Sequence, residues 1–151
     1  MQQNLTVKCL AEVTPKQLED NKHLLTPTVY KRAKHVVEEC ERVRLAALAM
    51  ERGDMVEFGR LLNASHKSMS ELYEVTGREL DVLAYAAQAH PACAGSRMTG
   101  GGFGGCTVSL VKTNQVENFQ RAVLEEYFKQ TGFKALCYET EISDGIICEK
   151  I

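Results

Sequence analysis

The spacing of apolar residues changes at Pro91, and this change constrains the fold more than any other feature of the sequence. Before Pro91, three stretches carry apolar residues at helical spacing, and the longest begins at Pro27 and stops at Gly53. After Pro91, segments 96–99 and 107–112 indicate strands, and the second of them shows an alternating pattern. Helices first and antiparallel strands later, with one helix returning between strands, predict an α+β sandwich whose helices cover one face of an antiparallel sheet.

Residues that cap helices mark the predicted helix starts. Five predicted helices begin after such a residue, a short one after Thr14 and longer ones after Thr26, Asp54, Thr76 and Asn114. Gly132 is expected to end the last helix. Two final strands are predicted over residues 133–142 and 145–151, on either side of a turn.

Length and composition are typical of one globular domain, which we expect to span residues 1–151. A net charge of -2 gives no support for nucleic-acid binding, and the longest apolar run, 45–50, is too short to cross a bilayer. The six cysteines show no C-x-x-C pair and no zinc-ligand spacing. We therefore expect no metal site, and a cytoplasmic protein with reduced, mostly buried thiols.

A glycine-rich segment, TGGGFGG at residues 99–105, joins the first two predicted strands. It contains a G-x-G-x-x-G spacing, but it leads into a strand, whereas a dinucleotide site needs a helix to hold the pyrophosphate. No Gly-Lys-Ser or Gly-Lys-Thr closes the run, so it is not a Walker A loop either. Two interpretations stay open: a loop whose backbone N–H groups bind an anion beside Thr99 and Arg97, or a bend that permits close packing.

Two other groups of polar residues were candidates for a site. His66 lies beside Ser65 and Ser68 but has no carboxylate nearby in the sequence to orient it, which favours a structural or surface histidine over a catalytic one. Positive charge is concentrated at residues 31–35, near the start of the longest helix. A solvated face neutralised by Glu38 and Glu39 is the expected explanation, and contact with another lobe or a phosphate is the alternative.

The segment GSRMTGGGFGGCTVSLV, residues 95–111, resembles the third signature motif of the GHMP sugar-kinase superfamily in its galactokinase form. Other segments resemble the C-terminal half of the same family, in the same order: KRAKHVVEE at 31–39, RGDMVEFGRLLNASHKSM at 52–69, LYEVTGRELDVL at 72–83 and FKALCYETEISDGIICEKI at 133–151. The resemblance covers essentially the whole chain. It implies a ferredoxin-like two-layer sandwich.

The resemblance also implies a function, the ATP- and Mg²⁺-dependent phosphorylation of galactose at its anomeric hydroxyl in the Leloir pathway. The residues that would line the cleft near the sugar and the transferring phosphoryl group are Thr99, Gly100, Gly101, Gly102, Phe103, Gly104 and Gly105, with Arg97 in support. The family's galactose-contacting motif, its ATP loop and its catalytic aspartate have no match in the sequence. We therefore expect an absent N-terminal lobe as partner, no catalytic residue in this chain and no tight binding of ATP or Mg²⁺ by it.

A non-catalytic function is the alternative that the sequence leaves open. A kinase-derived module could sense a sugar or nucleotide, or dock to another protein. A lobe separated from its other half would expose apolar surface, and that surface is also a candidate homodimer interface.

Overall fold

The computed structural model describes residues 7–141 and 148. Within this part of the chain the α-helices are α1 (Pro15–Asp20), α2 (Pro27–Glu51), α3 (Met55–Ser68), α4 (Arg78–Ala89) and α5 (Val116–Thr131). The strands are β1 (Cys93–Thr99) and β2 (Cys106–Val111), and they pair antiparallel. A π-helical turn, Met69–Tyr73, continues α3.

Three of the predicted helix starts are confirmed with their caps. The side chains of Thr14, Thr26 and Asp54 each accept a hydrogen bond from the backbone N–H three residues later, at 3.2, 3.4 and 3.0 Å. These bonds satisfy N–H groups that the first turn of a helix leaves without a partner.

The caps predicted at Thr76 and Asn114 are wrong. Thr76 is buried, with 2% of its surface exposed, and α4 begins at Arg78 after Gly77 without a side-chain cap. Asn114, the predicted cap of α5, lies inside a short 3₁₀ turn, Thr113–Gln115, and α5 begins after this turn without a side-chain cap. Both helices therefore start one residue later than the capping pattern indicates.

The α+β prediction is confirmed, because helices pack on the antiparallel β1–β2 pair. One buried cluster joins Met98 of β1 to Leu80 of α4 and to Met69. A second cluster joins Phe119 of α5 to Ala87 of α4, and the half-buried side chains packed against it include residues of both strands. Helix α4 therefore lies between the sheet and α5.

The strand predicted over 133–142 is wrong for the residues that can be checked. Residues 133–141 carry no regular secondary structure, and Phe133, Leu136 and Tyr138 are 59, 79 and 80% exposed. A strand exists only where a neighbour accepts its hydrogen bonds, and no described segment pairs with this one. Ile142, the turn after it and, apart from Cys148, the last predicted strand lie outside the described residues.

Helix α3 lies directly against β1, with two glycines at the point of contact. A Cβ atom on Gly59 would stand 2.0 Å from the carbonyl oxygen of Ala94, and one on Gly95 would stand 2.2 Å from the carbonyl oxygen of Gly59. Real Cβ atoms do not approach backbone atoms so closely. The absence of both side chains is therefore what lets the helix backbone touch the strand backbone.

Side chains of α3 accept hydrogen bonds from the edge of β1 that faces away from β2. The Ser96 N–H donates to Asn63 Oδ1 at 2.8 Å, and the Met98 N–H donates to Nδ1 of His66 at 3.1 Å. The helix thus takes the place that a third strand would have beside β1.

The cysteines differ from the sequence-based expectation. All six are free thiols, but five are exposed and Cys93 alone is partly buried. The expectation that they are mostly buried was wrong, since Cys40 lies on the solvent side of α2 and Cys106 follows the exposed glycine segment. Of the helices in residues 7–141, none combines the length and apolarity needed to cross a membrane.

Candidate functional site

The glycine segment forms a six-residue loop, 100–105, between paired strand ends. Thr99 at the end of β1 stands opposite Cys106 at the start of β2. Most of the loop glycines adopt positive φ angles: Gly100 +83°, Gly102 +82°, Gly104 +114° and Gly105 +111°. This conformation is what glycine permits at low cost, and it explains the concentration of glycine at this place.

The loop is exposed on most of its surface and anchored at its centre. Thr99 and Gly101 are exposed, and a Cβ atom on Gly101 would meet nothing within 4 Å. Phe103, which has a φ of +58°, is 81% exposed, yet its N–H donates to the carbonyl oxygen of Val75 at 2.8 Å. A Cβ atom on Gly102 would lie 2.0 Å from the same oxygen. The loop therefore presents an open backbone on one side and rests on Val75 on the other.

The guanidinium group of Arg97 is engaged by α2. Its Nη1 lies 3.2 Å from Oε1 of Glu39, and its Nε donates to the Met98 carbonyl at 3.0 Å. Glu39 also accepts hydrogen bonds from Ser65 at 2.5 Å and from Nε of Arg42 at 2.7 Å. Burial raises the pKa of Glu39, but these hydrogen bonds outweigh burial and hold the pKa below its ordinary value. The charge of Arg97 is thus partly neutralised by Glu39.

His66 is a buried structural residue, so of the two roles that its sequence context left open, the surface one is excluded. Its ring is 0% exposed, and because Nδ1 accepts from Met98, the ring proton lies on Nε2. Nε2 stands 3.2 Å from Oδ1 of Asp81 in an oblique contact, and Ser70 donates to Oδ2 of Asp81 at 3.0 Å. Burial lowers the pKa of His66. The carboxylate beside His66 is that of Asp81 in α4, 15 residues further along the chain. The sequence around His66 therefore gives no sign of it.

The positive charges at the start of α2 are neutralised mainly by a residue that the sequence analysis missed. Lys31 Nζ lies 3.1 Å from Oε1 of Glu74, and Arg32 pairs with the other oxygen of the same carboxylate. Lys34 pairs with Glu38 at 3.8 Å, as predicted. The pairing with Glu74 joins residues 42 and 43 positions apart and carries no signal in the sequence.

An open groove of about 780 Å³ lies between the start of α4 and the end of α5. Two of its polar side chains are engaged by protein partners, since Asp81 accepts from Ser70 and Arg78 donates to the Gln130 carbonyl at 2.7 Å. Within the described residues, no group of three or more His, Cys, Asp and Glu side chains is placed to hold a metal ion. The groove is therefore a weaker candidate for a site than the glycine loop.

Known proteins resemble this chain in sequence and in structure. The family described as "GHMP kinases C terminal" matches residues 46–130. The galactokinase of Enterococcus faecalis is 44% identical over 146 residues, which cover 96% of this chain and 38% of that protein. The galactokinase of Limosilactobacillus reuteri is 48% identical over 118 residues, or 78% of this chain and 30% of that protein. The chain thus spans 30 to 38% of the length of these two relatives.

A solved structure gives the same result. The crystal structure of Lactococcus lactis galactokinase complexed with galactose matches with a TM-score of 0.87 and 42% identity. The match covers 89% of this chain and 35% of that chain. The resemblance that the motif suggested is confirmed over nearly the whole described part of the chain.

Proposed function

Because the chain belongs to the GHMP kinase C-terminal family, we propose that it is the C-terminal domain of a galactokinase, which transfers a phosphoryl group from ATP to the anomeric hydroxyl of galactose. The observation that carries this proposal is the match, at a TM-score of 0.87, to a galactokinase solved with galactose. At 42% identity, such a match supports a shared site as well as a shared fold.

The glycine loop is the part of this chain that would take part in the reaction. Phosphoryl transfer depends mainly on positioning the reactants and on stabilising the charge that develops on the phosphoryl oxygens. The exposed loop backbone and the Thr99 hydroxyl offer hydrogen-bond donors for this purpose, and a substrate can approach closely where no Cβ stands. Arg97 would contribute through its charge, reduced by its pairing with Glu39.

We assign ATP, Mg²⁺ and the catalytic aspartate to a second lobe that is not in this sequence. ATP would supply the phosphoryl group, with Mg²⁺ neutralising its charge. The support is the lack of a match in the 151 residues to the family's ATP loop and catalytic aspartate. It follows that the chain alone should not phosphorylate galactose, and that its partner in the cytoplasm is a galactokinase N-terminal lobe.

Reconstitution tests this proposal. The purified chain is titrated with the N-terminal part of the Lactococcus lactis galactokinase, and galactose-dependent ATP turnover is followed. We expect no turnover from the chain alone and recovered turnover in the mixture. Turnover by the chain alone would overturn its proposed inactivity, and a complex that forms without turnover would overturn the galactokinase function.

Two loop variants sharpen the test in the reconstituted protein. Thr99→Ala and Gly101→Ala should both lower kcat, and the glycine variant should lower it more, because an added Cβ blocks close approach of the substrate. Since a Cβ on Gly101 meets nothing within 4 Å, this variant leaves the loop unstrained. A loss of activity at unchanged stability would therefore report on the substrate, and unchanged kcat in both variants would favour a pure interaction domain.

A non-catalytic docking or sensing module is the second candidate. It is favoured by apolar side chains that are largely exposed in the chain, namely Val56 at 81%, Phe103 at 81% and Tyr138 at 80%. Calorimetric titration with galactose and with ATP separates the two, because a sensing module binds one of them without the second lobe. Exposed apolar side chains of this kind are also candidate contacts of a homodimer, which sedimentation of the chain would detect.

A further inference from the structure

Three departures from ordinary backbone geometry meet beside the glycine loop. Helix α3 ends in the π-helical turn Met69–Tyr73, and the next residue, Glu74, has a φ of +59°. Across the contact, Phe103 has a φ of +58°. Within residues 7–141, the non-glycine residues with positive φ are Glu74 and Phe103. The hydrogen bond from the Phe103 N–H to the carbonyl of Val75, the residue after Glu74, connects the two positions. Residues persist in such conformations where surrounding contacts hold them, and they concentrate at functional sites.

Side chains from α2 fasten the corner that bears this hydrogen bond. The guanidinium group of Arg32 donates to the Leu72 carbonyl and also pairs with the Glu74 carboxylate. The Tyr73 ring stacks on the His35 ring, with centroids 4.6 Å apart and planes inclined by 24°. Lys31 pairs with the Glu74 carboxylate as well. Residues 72–75, here named the corner, are therefore held to α2 by two ion pairs, a hydrogen bond to the backbone and a ring contact.

The centre of the glycine loop is seated on this corner. The Phe103 N–H reaches the Val75 oxygen at 2.8 Å, and Gly102 lies so close to it that a Cβ would come within 2.0 Å. Val75 is itself packed against the buried cluster of Met69, Leu80 and Met98. A loop with five glycines has many alternative conformations, and each contact that fixes one of them lowers the entropy lost when a ligand binds.

We propose that the corner is a positioning element, in which Arg32 and Glu74 act through Val75 to set the conformation of the glycine loop. The hydrogen-bond donors of the loop are then already oriented when a substrate arrives, which is how fixed donors contribute to phosphoryl transfer. The catalytic consequence rests on the proposed kinase function. The structural consequence does not.

Amide hydrogen exchange in the full 151-residue chain tests the structural part. Arg32→Ala should raise the exchange rate of the Phe103 amide about tenfold, because a bond from a charged donor to the corner is lost. The exchange of the Val123 amide, in the core of α5, should stay unchanged. Arg32→Lys, which keeps the charge beside Glu74, should restore part of the protection.

Arg44→Ala is the matched control, because Arg44 lies on the same helix and, among the described residues, pairs with Glu41, three residues earlier, on the exposed surface. It should leave Phe103 protected. Unchanged exchange of Phe103 in Arg32→Ala, or a rise that Val123 shares, would overturn the proposal. If Arg32→Ala does not fold, Glu74→Gln, which removes the carboxylate charge and keeps the guanidinium, decides the question by the same measurement.

The catalytic part is tested in the reconstituted kinase. Arg32→Ala should lower kcat about tenfold, since the loop donors lose their orientation in the transition state, while KM for ATP changes little. Arg44→Ala should leave both constants unchanged. Raised exchange of Phe103 with unchanged kcat would overturn the catalytic part, and a reconstituted wild-type protein without activity would overturn the proposed function while the exchange result still stands.

Discussion

Replacing Gly59 by alanine tests the closest contact in the fold. Gly59 lies inside α3, where its backbone touches β1 at Ala94 and Gly95. A helix gains about 1 kcal/mol when an interior glycine becomes alanine, so in isolation the change is favourable. The direction of the effect therefore shows which term dominates, the helix propensity or the contact between helix and strand.

The magnitude follows from the distances at the contact. The new Cβ would stand 2.0 Å from the carbonyl oxygen of Ala94 and 2.4 Å from its carbonyl carbon, whereas real Cβ atoms stay beyond 3.0 Å. Helix and strand must separate by about 1 Å, and the same movement stretches the hydrogen bonds that Ser96 and Met98 donate to α3. Forcing extra atoms into a packed contact costs up to about 3 kcal/mol. We use this upper value because the obstacle is backbone, which cannot move aside as a flexible side chain can. After the gain in helix propensity, the free energy of unfolding should fall by about 2 kcal/mol.

Urea unfolding of the chain, followed by circular dichroism, measures this change. Gly101→Ala is the control, because its Cβ meets nothing within 4 Å and its φ is not in the left-handed region. Its free energy of unfolding should stay within about 0.5 kcal/mol of the wild-type value. If Gly59→Ala is as stable as the wild type, the two backbones do not touch as described, and the reasoning is refuted.

Two further changes in stability follow from the contacts of α3. Burial lowers the pKa of His66 below 6.5, so the unfolded chain takes up this proton at a higher pH than the folded chain. The free energy of unfolding should therefore fall as the pH drops through 6.5 toward the folded pKa. In urea unfolding across a pH series, His66→Gln should make that fall shallower. Asn63→Ala leaves the Ser96 N–H without its acceptor and should lower the free energy of unfolding by about 1–3 kcal/mol in the same assay. The control Asn118→Ala, on the exposed face of α5, should lower it by less than about 0.5 kcal/mol.

The outcomes that would contradict these two predictions are specific. A pH profile that His66→Gln leaves unchanged would mean that His66 titrates alike in the folded and unfolded chains. Part of the dependence of the unfolding free energy on pH should remain in this variant, because burial also lowers the pKa of His35. Equal losses in Asn63→Ala and Asn118→Ala would mean that the bond to Ser96 adds nothing beyond an exposed one.

Features that depend on neighbouring residues could be predicted from the sequence. The caps at Thr14 and Asp54 need only a side-chain oxygen and an N–H three residues away, and both are present. The alternation of apolar and polar residues in the segment after the glycine loop predicts a strand there, and this places the loop between two strands. Thr76 failed as a cap because the left-handed turn at Glu74 redirects the chain and buries Thr76 before α4 begins.

Contacts between distant residues could not be predicted in this way. Arg97 meets Glu39 from 58 residues away, so its expected freedom to face a phosphate could not be judged from its neighbours. The same holds for the bond between Phe103 and Val75, which seats the loop. The motif indicated which residues form the candidate site, and the tertiary fold decides which of their charges are already neutralised.

The hydrogen bonds that Asn63 and His66 accept from β1 also determine how this protein can associate through its sheet. An unprotected strand edge invites pairing with a strand of another molecule, which is a common route to aggregation. On the β1 side, the Ser96 and Met98 N–H groups are already occupied by α3. A strand supplied by a fusion partner or by another chain therefore cannot extend the sheet beside β1 without displacing α3.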